Sequence, residues 1–258
     1  MLTPNALKRR LARGETVLGL FASIPTAVTV EMIGQAGFDF VILDTEHTLV
    51  NPETLEHMLR AAELAGLTAL VRVSRPDPAI VVPLLDGGAR GIVLADVRSA
   101  GSLQALNECL RFRPLGQRSM NGGRPARFGA DDLVEYLSRA NDELMLIPMI
   151  ESREGVENLP AILRVPRVDM VLEGAADLSQ SLGLPWQTEA PAVVESLDRI
   201  HAECRRAEVP FCAIPRSEER RSYWCERGVR AFVLGDERGI AFRALQAKLA
   251  PYREGGDA

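Results

Sequence analysis

The chain is poor in the residues that several common functions require. Four cysteines and three histidines are spread over 258 residues. Cys109, Cys204, Cys212 and Cys225 follow no metal-ligand spacing, which argues against a zinc site built on cysteine or histidine. They read as reduced core or surface thiols of a cytoplasmic protein. Lys and Arg number 30 against 35 Asp and Glu, a net charge of −5. With no basic excess to neutralise phosphates, general nucleic-acid binding is disfavoured. No stretch approaches the roughly 18 apolar residues of a membrane span. Residues 1–13 are polar and basic, with no apolar stretch or cleavage pattern, so no signal peptide is expected.

What is present is alternation. Hydrophobic residues make up 47% of the chain, enough for a large core. They recur in eight short runs: Thr16–Phe21, Phe40–Leu43, Thr68–Val73, Gly91–Leu94, Leu144–Ile150, Val168–Leu172, Val209–Ile214 and Arg230–Leu234. Each run is too short for a helix and almost continuously apolar, as parallel strands buried on both faces are. Amphipathic stretches follow them, from Thr26–Gln35 and Glu53–Leu64 through to Glu218–Arg227 and Arg238–Leu249. Eight strand–helix units in about 250 residues predict an α/β fold, a parallel eight-stranded (β/α)8 TIM-type barrel, as one domain over residues 1–258. The competing architecture is an open doubly wound sheet. One long excursion, residues 111–141, breaks the rhythm and carries an extra helix near Asp131–Arg139. Excursions of this length are more often functional or interfacial than idle.

Active sites of such barrels lie at the C-terminal strand ends. Reading those ends gives Asp44-Thr45-Glu46-His47 after the second run, Arg72 in the third and Glu151 after the fifth. Glu173-Gly174-Ala175-Ala176-Asp177 closes the sixth, Arg216 follows the seventh and Asp236 the eighth. Glu151 and Asp177 are the candidate metal ligands. Hard divalent ions such as Mg²⁺ or Mn²⁺ take oxygen ligands and keep positions open for water and substrate. The plain alternative is that Glu151 caps a helix and Asp177 a turn. His47 alone among the histidines follows a barrel strand. It is the candidate base, with Asp44 three residues earlier to orient its ring or raise its pKa. The alternative is a histidine in a hydrogen-bonded loop. His57 reads as a surface group and His201 as structural. Arg72, in an apolar run, is expected to meet a substrate anion or to pair internally with Asp44, Glu46 or Glu151. Gly174-Ala175-Ala176 reads as a flexible stretch whose backbone N–H groups can hold a carboxylate. The segment from Gly116 to Arg124 reads either as a clamp over an anion or as a plain surface loop.

These residues resemble the HpcH/HpaI family of metal-dependent 2-oxo-acid aldolases. The resemblance rests on Gly37-Phe38-Asp39-Phe40 leading to Asp44-Thr45-Glu46-His47, and on Val71-Arg72-Val73. It continues through Pro114-Leu115-Gly116-Gln117-Arg118, Met149-Ile150-Glu151 and Ala176-Asp177-Leu178-Ser179. It implies a modified (β/α)8 barrel with metal on Glu151 and Asp177, a catalytic His47–Asp44 pair and a substrate arginine at Arg72. It also implies backbone contacts from Ala176 and Asp177 to a substrate carboxylate. Met149, Ala175 and Ser119 stand where aldolase members usually have glutamine, proline and glycine. With the strings Gly116–Arg124, Glu173–Ser181 and Cys212–Arg216, they resemble the branch that makes citrate for carboxylate siderophores. That branch implies oxaloacetate and acetyl-CoA as substrates. The aldolase alternative implies pyruvate and an aldehyde, and a third reading is a non-catalytic dicarboxylate-binding barrel. The resemblance further implies a homo-oligomer, a hexamer built of dimers that exchange the last helix.

Overall fold

A computed structural model describes residues 2–253. The eight strands are β1 Val17–Ala22, β2 Phe40–Asp44, β3 Thr68–Val73, β4 Gly91–Leu94, β5 Met145–Ile150, β6 Val171–Glu173, β7 Phe211–Ala213 and β8 Ala231–Asp236. All pair in parallel, in chain order, and β8 returns to β1 to close the barrel. The open doubly wound alternative is thereby excluded. The helices are α1 Ala6–Ala12, α2 Ala27–Gln35, α3 Pro52–Leu64, α4 Pro78–Gly87, α5 Ala100–Leu110, α6 Leu133–Glu143, α7 Arg153–Ile162, α8 Ala175–Ser181, α9 Pro191–Arg206, α10 Glu218–Glu226 and α11 Glu237–Arg253. No helix among the described residues is long and apolar enough to cross a membrane.

Local chemistry starts most of these helices where the sequence places them. Asn51, Asp77 and Ser99 accept backbone N–H groups of the first turns of α3, α4 and α5, and prolines open α3 and α4. Strand alternation then divides the core in two. Val17, Phe21, Phe40, Ile42, Leu70, Val93, Ile147, Met149 and Leu172 fill the barrel interior, and Leu7 of α1 joins them. The other strand faces pack against the helices. Gly19 gives room to a large neighbour, since a Cβ there would overlap the Phe40 ring.

Three expectations change. Gly174-Ala175-Ala176 is not a flexible stretch: it caps and begins α8, because three small residues followed by Asp-Leu-Ser propagate a helical turn. The Gly116–Arg124 segment does not line the strand-end cavity. Arg118 is buried, donates to Asp86 at 2.7 Å and stacks on Phe112, while Arg124 pairs with Glu63 of α3. These internal partners hold the segment against α3 and α4. The last helix runs further than expected and buries none of its residues.

Candidate active site

Period-two alternation carries the interior positions of three strands up to charged residues at their ends. Ile42 leads to Asp44, Leu70 to Arg72 and Met149 to Glu151. The β2–β3 register sets Asp44 directly beside Arg72. Arg72 Nε donates to Asp44 Oδ1 at 2.9 Å, and Nη2 donates to Oδ2 at 2.7 Å. Nη1 lies 3.3 Å from Glu46 Oε2 and 3.9 Å from the Met149 sulfur. The guanidinium also sits 4.6 Å from the Phe21 ring centroid. Burial works against both charges of the pair. The mutual hydrogen bonds and charges outweigh it, holding the Asp44 carboxyl below its usual range and Arg72 above its own.

Glu151 has a different environment. It is 5% exposed, and its Oε1 accepts from the Asp96 amide at 2.7 Å. A Cβ at Gly174 would overlap Glu151 Oε2, so glycine keeps that space clear. Burial pushes the Glu151 carboxyl up to about 7. The Asp96 N–H opposes that rise, and the charges of Glu46 and Asp177 add to it. The plain capping roles fall elsewhere. Ser152 caps α7, and Gly174 starts α8 without a side-chain cap. Glu151 and Asp177 both line a cavity of about 400 Å³ at the strand ends, together with Asp44, His47, Arg72 and Ala176.

The Asp44–His47 contact expected from the sequence is not formed. Both Asp44 oxygens are engaged by Arg72, and Oδ1 also accepts the backbone N–H groups of Glu46 and His47 at 3.1 and 3.5 Å. The His47 ring is 61% exposed and faces Glu46 Oε2 at 3.7 Å. Asp44 therefore shapes the loop carrying His47 and leaves its imidazole free at the rim. Arg72 forms the internal pairs with Asp44 and Glu46. His57 is exposed, and His201 packs on Phe211 and Trp224 as a structural residue.

A family model described as HpcH/HpaI aldolase/citrate lyase matches residues 17–238. The chain belongs to the HpcH/HpaI aldolase/citrate lyase family. Similar members include a 2-keto-3-deoxy-L-rhamnonate aldolase of Klebsiella pneumoniae subsp. pneumoniae, 32% identical over 98% of this chain and 94% of that one. A 4-hydroxy-2-oxo-heptane-1,7-dioate aldolase of Shigella sonnei is 28% identical over 96% and 95%. Among solved structures, the citrate synthase SbnG superposes with a TM-score of 0.90 at 40% identity, covering 98% of this chain and 99% of its own. An HpcH/HpaI aldolase from Desulfitobacterium hafniense also reaches 0.90, at 30% identity and 96% of each chain. These HpcH/HpaI relatives are named as aldolases and as a citrate synthase, so the family relation carries carbon–carbon bond chemistry.

Several cavity residues escaped the sequence reading. Phe21 was legible only as a strand residue, although alternation aims it inward. Trp186 sits outside any periodic pattern, and Gln180 and Arg238 lie in helical stretches whose pattern does not aim them at the cavity they line. Asp96 contributes only its amide, held out by a positive φ of 45°.

Glu173 is a third buried acid near these strand ends, after Asp44 and Glu151. Its Oε1 accepts from the Ile214 amide at 2.7 Å, and Oε2 has no partner among the described residues. Burial pushes it up to about 7, against the Ile214 N–H and the charge of Arg216, from about 4.5 in an open chain. The folded protein therefore holds this proton longer than the unfolded chain. The associated stability is fully present below about pH 4.5 and is lost as pH rises to about 7. Glu173→Gln should flatten this part of the profile, removing a slope worth up to about 3 kcal/mol between pH 5 and 7.5. Urea melts of the two proteins at several pH values read the difference, and parallel profiles would refute the assignment.

Proposed function

We propose that this chain is a divalent-metal-dependent enzyme forming a carbon–carbon bond at a 2-oxo acid. Its reaction is the condensation of oxaloacetate with acetyl-CoA to citrate, as used in siderophore biosynthesis. The observation that carries the reading is Glu151, a buried carboxylate crowded by other acids and open to a cavity that also contains Arg72. The 40% identity to a citrate synthase over nearly the whole chain supports citrate formation. The 32% identity to a 2-keto-3-deoxy-L-rhamnonate aldolase supports the second reading, aldol chemistry between pyruvate and an aldehyde.

The donor set fits Mg²⁺ or Mn²⁺. Among the described residues no three His, Cys, Asp or Glu side chains converge as a complete protein cage. Glu151 and Asp177 alone would hold the ion, leaving positions for water and a chelating 2-oxo acid. Bound there, the metal would supply Lewis-acid polarisation of the 2-oxo group. Arg72, fixed by Asp44, presents positive charge to a carboxylate or to the alkoxide that develops at C2. The backbone N–H groups of Ala176 and Asp177, on the cavity wall, are assigned to a substrate carboxylate. His47 is assigned as the base, taking a proton from the acetyl-CoA methyl group. That carbon then attacks C2 of oxaloacetate, and water cleaves the thioester to release citrate and CoA. In the aldol reading the same groups would deprotonate pyruvate instead.

The same reading extends to assembly. Helix α11 exposes Ile240, Phe242, Leu245 and Leu249, and only its first turn, through Glu237, is held against its own barrel. Burial of such a face stabilises by about 25 cal/mol per Å². We assign it to a partner copy in a homo-oligomer, a hexamer of helix-exchanging dimers.

Mixing the protein with oxaloacetate and acetyl-CoA and following free thiol tests the reaction. CoA release is expected, lost with EDTA and restored by Mg²⁺ or Mn²⁺, and Glu151→Gln should need far more metal. Full turnover after thorough chelation would sink the metal assignment. No CoA release beside brisk pyruvate–aldehyde turnover would select the aldolase reading. Arg72→Lys keeps the charge but loses the planar fork, and kcat should fall about 10²-fold. An unchanged kcat with a higher KM would instead make Arg72 a ground-state binding group. Light scattering should report a mass well above the 28.2 kDa monomer, and deletion from Arg238 onward should break the assembly. A monomer at micromolar concentration would remove the exchange.

A further inference from the structure

The wall of the cavity is chemically divided around the closed barrel. The ends of β2, β3, β5 and β6 bring Asp44, the paired Arg72, Glu151 and Asp177. The ends of β7 and β8 bring two further arginines, Arg216 and Arg238, to the same space. They share this wall with one carboxylate, Asp236. Arg216 makes no ion pair among the described residues, while nearby Arg220 is taken by Glu189. Arg238 Nε is 3.9 Å from Asp236 Oδ1, and that oxygen already accepts the Gly239 N–H at 2.7 Å.

A third residue on this wall is unusual in a different way. Trp186 is 77% exposed, and its backbone has a φ of +64°. The Gln187 N–H donates to the Leu184 carbonyl at 3.0 Å, with Pro185 between them. This is a turn with proline in the second position and a left-handed residue in the third, where glycine is the usual choice. A tryptophan there carries backbone strain and leaves a large apolar ring in water. Such a ring is retained most economically by a ligand that stacks on it.

We propose that Trp186, Arg216 and Arg238 bind the second substrate, and that this substrate combines several negative charges with a flat aromatic head. The nucleotide portion of a coenzyme A thioester has both features. Arginine forks match its phosphates, and an indole face matches adenine. A short anionic aldehyde would engage the arginines and leave Trp186 in water. The inference rests on the reading of Glu151, Asp177 and Arg72 as the 2-oxo-acid end of the cavity.

The chain's two tryptophans make the test direct, because Trp224 is fully buried and Trp186 is the exposed emitter. Coenzyme A is titrated into the intact protein, and acrylamide quenching of tryptophan emission is followed. CoA should protect the exposed emission, and Arg216→Gln with Arg238→Gln should raise the Kd for CoA at least ten-fold. The preference in kcat/KM for acetyl-CoA over S-acetyl-N-acetylcysteamine, which lacks the nucleotide, should fall by a similar factor. Both arginines are exposed, so the double variant should keep the wild-type circular dichroism and melting temperature. Unprotected Trp186 emission, or an unchanged Kd in the double variant, would overturn the proposal. Protection by succinic semialdehyde but not by CoA would overturn it in favour of a short anionic aldehyde. Calorimetric binding of oxaloacetate with Mg²⁺ reads the other end of the cavity separately. Its loss with CoA binding intact would refute the 2-oxo-acid reading alone.

Discussion

The buried Asp44–Arg72 pair is the constraint on which the rest of the strand-end chemistry depends. Arg72 occupies an interior position of β3 and is only 8% exposed. A guanidinium there is tolerated only with a partner of matching geometry, and removing one partner of such a pair typically costs about 3–5 kcal/mol. Parallel register supplies Asp44 at the adjacent position on β2. The two-point contact fixes the plane of the guanidinium, and Phe21 and Met149 confine it further. The positive charge is thereby held in place before any ligand arrives, which is the preorganisation that charge-stabilising sites require.

That pairing determines what its neighbours can do. With both Asp44 oxygens engaged, the carboxylate cannot hold the His47 imidazole, and the ring stays at the solvent edge. With Arg72 engaged by Asp44 and Glu46, Glu151 receives only a small share of its charge and is left crowded by acids. One arginine beside Asp44, Glu151 and Asp177 leaves that part of the cavity net negative. The β7 and β8 ends bring Arg216 and Arg238 against a single carboxylate, Asp236, and are net positive.

Stability and function pull on the same residues. Glu151 and Glu173 are both held near neutrality by burial, so the strand ends are less stable at pH 8 than an apolar equivalent would be. The barrel below them is densely packed from β1 to β8, with Phe40 filling the space opposite Gly19. Helix α11 departs from this economy. It covers little of its own barrel and presents an apolar face outward.

The sequence by itself determined the barrel and the identity of the charged residues at its mouth. Strand alternation and helix caps are local properties, written within a few residues of where they act. Asn51, Asp77 and Ser99 start their helices from their own side chains, and the eight apolar runs each became a strand. Glu151, Asp177, Ala176, His47 and Arg72 were legible as cavity residues because position at a strand end suffices to aim them there. Which charge pairs with which was decided only by tertiary structure. Asp44 is three residues from His47 and twenty-eight from Arg72, yet register brings it to the arginine, and a bidentate ion pair outcompetes a single bond to imidazole. Trp186, Arg216 and Arg238 likewise come from separate segments with no shared period. Pairing of β6 with β7 and of β7 with β8 brings their segments around one cavity.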